Sequence, residues 1–73
     1  MTKRDKEILE FIKGFMLENG TTPTIREIGD GVGLYSTSSV YSHMQKLMEL
    51  GEIIPLKDRS FRYRVKGMRY ING

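Results

Sequence analysis

The chain of 73 residues has no cysteine, no tryptophan, one histidine and two prolines. Without cysteine there is neither a disulfide framework nor a thiolate metal site, and a lone histidine does not replace one. A chain this short must then rely on its apolar core alone to stay folded. No apolar run approaches the roughly 18 residues of a membrane span. The opening "MTKRDKE" is charged and lacks a signal-peptide pattern, so the expected setting is the cytoplasm, with no membrane partner. Catalysis is not expected either, because one histidine and no evident carboxylate pair leave nothing to assemble an active site. Gly29, Gly31 and Gly33 follow a helical pattern rather than a strand and miss the G-x-G-x-x-G spacing of a nucleotide loop. No cofactor and no metal are expected.

Acidic residues are also missing from particular places. Residues 1 to 56 carry six basic and eight acidic side chains, whereas residues 57 to 73 carry six basic side chains against Asp58 alone. No acid occurs between Gly31 and Met48. A basic tail and an acid-free middle suit a polyanionic partner, although a solvated charged hairpin would show the same tail.

What is present reads as three helices and a hairpin. Over 3–19, Ile8, Phe11, Ile12 and Phe15 form a stripe at helical spacing, opposite Lys6, Glu10 and Lys13. Thr2 and Asp5 form a short capping box, and Asn19-Gly20 supplies a left-handed stop. A second helix over 25–32 is capped by Thr24 and Glu27 and buries Ile25, Ile28 and Val32. Gly29 permits close helix approach, Gly31 weakens the helix by roughly 1 kcal/mol relative to alanine, and Gly33 suits the φ > 0 end. A third helix over 37–50 is capped by Ser36, with Val40, Met44 and Leu47 inward, flanked by His43, Met48 and Leu50. His43 sits at the core edge and reads as a packing or capping residue, and the five methionines read as core filler. Beyond Gly51, "EIIPL" and residues 61–71 read as strands around the polar turn "KDRS", with Pro55 at an edge and Gly67 as a bulge. In "FRYRV", Phe61, Tyr63 and Val65 alternate with Arg62 and Arg64, giving an apolar and a basic face.

Two helices, a tight turn, a third helix and a basic hairpin make a single mainly α domain over 1–73, a winged helix-turn-helix with its wing over 52–71. The glycines make the crossing and the turn, and the serines start the recognition helix. Ser36, Thr37, Ser38 and Ser39 are short enough to approach a phosphate backbone at the positive end of that helix. Ser38, Ser39, Ser42 and Gln45 can hydrogen-bond to base edges, and Tyr41 can reach a phosphate or a thymine methyl. Thr24, Arg26 and Lys46 are candidate phosphate contacts, and Arg59, Arg62 and Arg64 of the wing are candidates for phosphate or minor-groove contacts. An ordinary exposed helix face explains Arg26 and Lys46 equally well.

"TTPTIREIGDGVGLYSTSSVYSHMQKLMELGEI" resembles the N-terminal DNA-binding domain of LexA-type repressors. The likeness is carried by Pro23, Thr24, Arg26, Glu27 and Ile28, by Gly33, Leu34, Ser36 and Ser38, and by His43, Met44, Leu47, Gly51 and Ile53. It implies a winged helix-turn-helix that reads the major groove and represses transcription. Members of that family usually carry a second, self-cleaving serine–lysine protease domain that also dimerises the repressor. These 73 residues offer no place for it, so neither cleavage nor that mode of dimerisation is implied for them. The wing is longer and richer in arginine than the usual one.

The expected function is therefore a sequence-specific, double-stranded DNA-binding transcriptional regulator, a repressor by resemblance. One small module buries little surface, so two copies on a palindromic operator, as a homodimer on DNA, or a partner are expected. The alternative is a winged helix that docks on a larger regulator through the "EIIPL" edge and Phe61, since fold does not fix function. Recognition of left-handed nucleic acid is disfavoured by the absence of tryptophan and of a Pro-Pro pair in the wing.

Overall fold

The computed structural model describes residues 1–56 and 63–68. Helices α1 (Lys3–Asn19), α2 (Ile25–Val32) and α3 (Thr37–Glu49) are followed by strands β1 (Ile53–Pro55) and β2 (Tyr63–Val65). The strands pair antiparallel with Ile53 opposite Val65, Ile54 opposite Arg64 and Pro55 opposite Tyr63. This is a winged helix-turn-helix.

The helix starts follow from local chemistry. Thr2 and Thr24 each make a full capping box: their hydroxyls accept from the Asp5 and Glu27 amides, and those carboxylates accept from the cap amides. Glycines at φ +72 and +77 end α1 and α2, at Gly20 and Gly33. At the end of α3 the Gly51 amide donates to the Met48 carbonyl and the Glu52 amide to that of Leu47. With Gly51 at φ +78, this is a Schellman stop that turns the chain into the wing. Gly67, at φ +81, lies in a turn just after β2 rather than inside the strand, because the paired register ends at Val65.

The core joins all five elements. Ile8, Leu9, Ile12 and Met16 of α1 meet Ile28, Val40, Met44, Leu47, Ile53, Tyr63 and Val65. The α1 stripe is thus rotated from the one expected: Leu9 and Met16 are buried, while Phe11 and Phe15 are half-buried. Phe11 instead lays its ring against Gly31, which has no Cβ to keep it off. The α3 flank also differs, since the helix ends at Glu49 and Leu50 is exposed as its C-cap. Met16 and Met44 fill core, Met48 and Met68 pack beside it, and Met1 is exposed. Tyr63 and Val65 point inward with Arg64 outward, as the alternation requires; Phe61 and Arg62 lie outside the described residues.

Polar contacts from the first turn of α1 hold the other two helices. Arg4 donates to the Val32 carbonyl at 2.7 Å, satisfying one of the free acceptors at the end of α2. Asp5 is buried at 1% exposure, with one carboxylate oxygen 2.6 Å from His43 Nδ1 and the other accepting from the Thr2 amide at 3.0 Å. Burial opposes ionisation of this carboxyl. The hydrogen bonds with His43 and Thr2, helped by charge on His43, outweigh burial and hold Asp5 below its ordinary 3.8. A third bond, from the Tyr63 hydroxyl to the Pro23 carbonyl at 2.9 Å, ties β2 to the loop before α2.

Two stability predictions follow from this packing. A Cβ at Gly29 would collide with the backbone carbonyl of Leu34, which cannot swing away. Gly29→Ala should cost about 1–3 kcal/mol by denaturant unfolding. Gly31→Ala would put its Cβ against the Phe11 ring, a side chain that can turn aside where a backbone carbonyl cannot. A gain of about 1 kcal/mol in helix propensity offsets part of the displacement. A smaller loss at Gly29 than at Gly31 would contradict the packing described.

Asp5→Ala should cost about 1–3 kcal/mol at neutral pH, because it removes a buried acceptor that serves the half-buried His43 ring and the Thr2 amide. Asp5→Asn keeps an acceptor oxygen but not the charge, and should lose less. Since the native carboxyl ionises more readily than the unfolded one, its contribution is present above pH 3.8 and disappears as pH falls through the lower native value. Unfolding midpoints of the wild type and Asp5→Asn measured from pH 5 downward should therefore converge. A gap that stays constant to pH 2 would show that ionised Asp5 adds nothing.

Candidate nucleic-acid interface

Helix α3 is anchored by Val40, Met44 and Leu47, all at most 2% exposed. At 3.6 residues per turn, this fixes which side chains face outward. Thr37, Ser38, Ser39, Tyr41, Ser42, Gln45 and Lys46 are all exposed, as is the cap residue Ser36. Thr24 and Arg26 at the start of α2 and Arg64 of β2 are exposed too. Arg59 and Arg62 lie outside the described residues.

The exposed arc of α3 has two sides. Thr37, Ser38, Tyr41 and Gln45 face the start of α2, and with Thr24 and Arg26 they rim an open groove of about 790 Å³. Its floor includes Pro23, Ile25, Met44, Met48, Pro55 and Tyr63. The structure therefore brings six of the expected contact residues to one groove between α2, α3 and the wing. Ser39, Ser42 and Lys46 occupy the other side of the arc, and Arg64 stands on the outer face of the hairpin, across from Ile54.

The electrostatics of the three helix starts differ. α1 and α2 each carry an acid in the first turn, Asp5 and Glu27, which neutralises the positive end of the helix dipole. α3 carries none. Its cap is also weaker, with the Ser39 amide 3.4 Å from the Ser36 hydroxyl, against 3.1 Å at both other caps. The start of α3 thus presents hydroxyls and a positive dipole with no carboxylate of its own, an arrangement that favours an anion such as phosphate.

His43 sits at the core edge of α3 as expected, and its partner is Asp5. Sequence reading missed this, and it missed Arg4, because both partners lie far along the chain. The available signal was a polar residue in the buried stripe of α1: Asp5 falls between Ile8, Leu9 and Ile12 on the helical wheel. Among the described residues no group of three or more histidine, aspartate or glutamate side chains could hold a metal, and no helix is long and apolar enough to cross a membrane.

The sequence is similar to those of known proteins. A family model described as the LexA DNA binding domain matches residues 1–60. The LexA repressor of Desulfitobacterium hafniense is 47% identical over 53 residues, which cover 73% of this chain and 26% of that repressor. The LexA repressors of Bacillus mycoides and Bacillus cytotoxicus are each 49% identical over 53 residues, with the same coverage. The chain thus spans about a quarter of the length of the curated relatives it matches. With its three helices, its paired wing strands and a family match that runs from α1 through β1, the chain belongs to the LexA DNA-binding domain family.

Proposed function

We propose that this chain is the DNA-binding unit of a transcriptional repressor, with α3 lying in the major groove of double-stranded DNA. The observation that carries this reading is the start of α3: exposed hydroxyls at Ser36, Thr37, Ser38 and Ser39, and no acid in the first turn. Ser38, Ser39, Tyr41, Ser42 and Gln45 face base edges, where hydroxyl and amide groups donate or accept. Thr24, Arg26, Ser36, Thr37 and Lys46 set the register on phosphates, which carry affinity but no sequence information. Arg64, with Arg59 and Arg62 by their place in the sequence, meets the backbone beside the groove. Membership of a repressor family and the groove between α2, α3 and the wing support these roles.

One such module contributes a small interface, so two copies act together on a palindromic operator with half-sites about 10 base pairs, or a multiple of that, apart. Selection of bound duplexes from a random DNA pool tests the reading. The wild type should enrich a defined palindrome. Ser39→Ala with Tyr41→Ala should blur that motif. Arg62→Ala with Arg64→Ala should leave the motif intact, weaken binding to all sequences and lower the salt dependence by about two phosphate contacts. No enrichment and no binding at low salt would overturn the proposal and point to a protein partner instead.

A further inference from the structure

Tyr35 is 90% exposed, more than any other large apolar or aromatic residue described. A side chain this bare on a mobile loop would mean little, but its backbone is held on both sides. The Leu34 amide donates to the Gly29 carbonyl at 2.8 Å, and the Leu34 side chain packs on the core. The Leu34 carbonyl presses against Gly29 so closely that no Cβ would fit there. On the other side, Ser36 caps α3. Tyr35 thus stands between an inward anchor and a helix cap, with its side chain exposed beside the start of α3. No acidic residue occurs from Gly31 to Met48 to repel an anion there.

We propose that Tyr35 is a further DNA-contact residue, its phenol hydroxyl donating a hydrogen bond to a backbone phosphate at the edge of the major groove. The inference rests on the DNA-binding reading above and adds a position and an atom to it. The turn fixes the Tyr35 backbone in advance, so only the side-chain torsions are ordered when the contact forms. A phenol is uncharged, so the contact adds affinity without releasing a counterion. Tyr35 therefore strengthens binding to every sequence equally and leaves the salt dependence unchanged, unlike Lys46 or Arg64.

The test is quantitative DNA binding by wild type, Tyr35→Phe, Tyr35→Ala and Lys46→Ala on a selected duplex and on an unrelated one, across a salt series. Tyr35→Phe should weaken binding roughly tenfold or more on both duplexes, the range set by one hydrogen bond to a charged acceptor. The slope of log affinity against log salt should stay at the wild-type value, whereas Lys46→Ala should lower it by about one. A scan of single methylphosphonate substitutions should find one phosphate whose neutralisation weakens the wild type but not Tyr35→Phe. The side chain is almost fully exposed, so both Tyr35 variants should keep the wild-type melting temperature. Wild-type affinity in both variants would overturn the inference while leaving the DNA-binding reading intact. So would a loss in Tyr35→Ala alone, which would assign the contact to the ring, or a change in self-association, which would assign Tyr35 to a second copy. Failure of the wild type to bind any duplex would remove both readings together.

Discussion

The orientation of the two helices that flank the turn depends on two neighbouring side chains at the start of α1. Arg4 reaches the last carbonyl of α2, and Asp5 meets His43 in the middle of α3. A buried carboxylate is costly unless its oxygens are satisfied, and here one takes the histidine and the other the Thr2 amide. The satisfaction works both ways. The Asp5–His43 hydrogen bond forms only if α3 is docked in the right rotation, so the pair favours the rotation that turns Ser38, Tyr41 and Ser42 outward. Apolar contacts alone tolerate small rotations of a helix, whereas a 2.6 Å hydrogen bond does not.

A second constraint acts on the turn itself. Gly29 lets the Leu34 carbonyl come within a distance that any larger residue would forbid, and Gly33 takes the left-handed conformation that ends α2. Gly31 has a different use. Its missing side chain admits the Phe11 ring of α1, so the same glycine that weakens α2 also docks α1 on it. The three glycines therefore serve three separate needs: Gly29 and Gly33 shape the turn between α2 and α3, and Gly31 docks α1 on α2.

These contacts differ in how far they could be read from sequence. Both capping boxes and all three helix starts were legible, because each links residues three apart and depends on local chemistry. The Gly29 approach and the Gly33 stop were legible for the same reason. The buried face of α1 was misjudged, because Phe11 and Phe15 are the largest apolar residues there and drew the stripe toward themselves. The actual buried arc, of about 100° on a helix of 3.6 residues per turn, runs through Ile8, Ile12, Met16 and Leu9, with Asp5 at its centre. An acid in that arc demands a partner, and His43 at the edge of α3 was the unassigned candidate. The pairing stayed hidden because it spans 38 positions, as the Arg4 and Tyr63 bonds span 28 and 40. Local rules do not reach that far. On α3 the whole set of expected contact residues is exposed, since three buried positions fix the rotation of the entire helix.

The three helix starts also show where stability has been given up. A capping residue is worth about 1 kcal/mol, and a first-turn acid adds a further fraction through the helix dipole. α1 and α2 take both. α3 has the longest cap hydrogen bond of the three and no first-turn acid, although one substitution at Ser39 to glutamate would complete a box there. In so small a domain that omission is a substantial fraction of the folding free energy. An acid at Ser39 would stabilise the free protein, but it would also cancel the positive helix end that suits an anion. The amides and dipole that glutamate would satisfy stay open, and under the proposed function a bound DNA phosphate would take them up and return that stability.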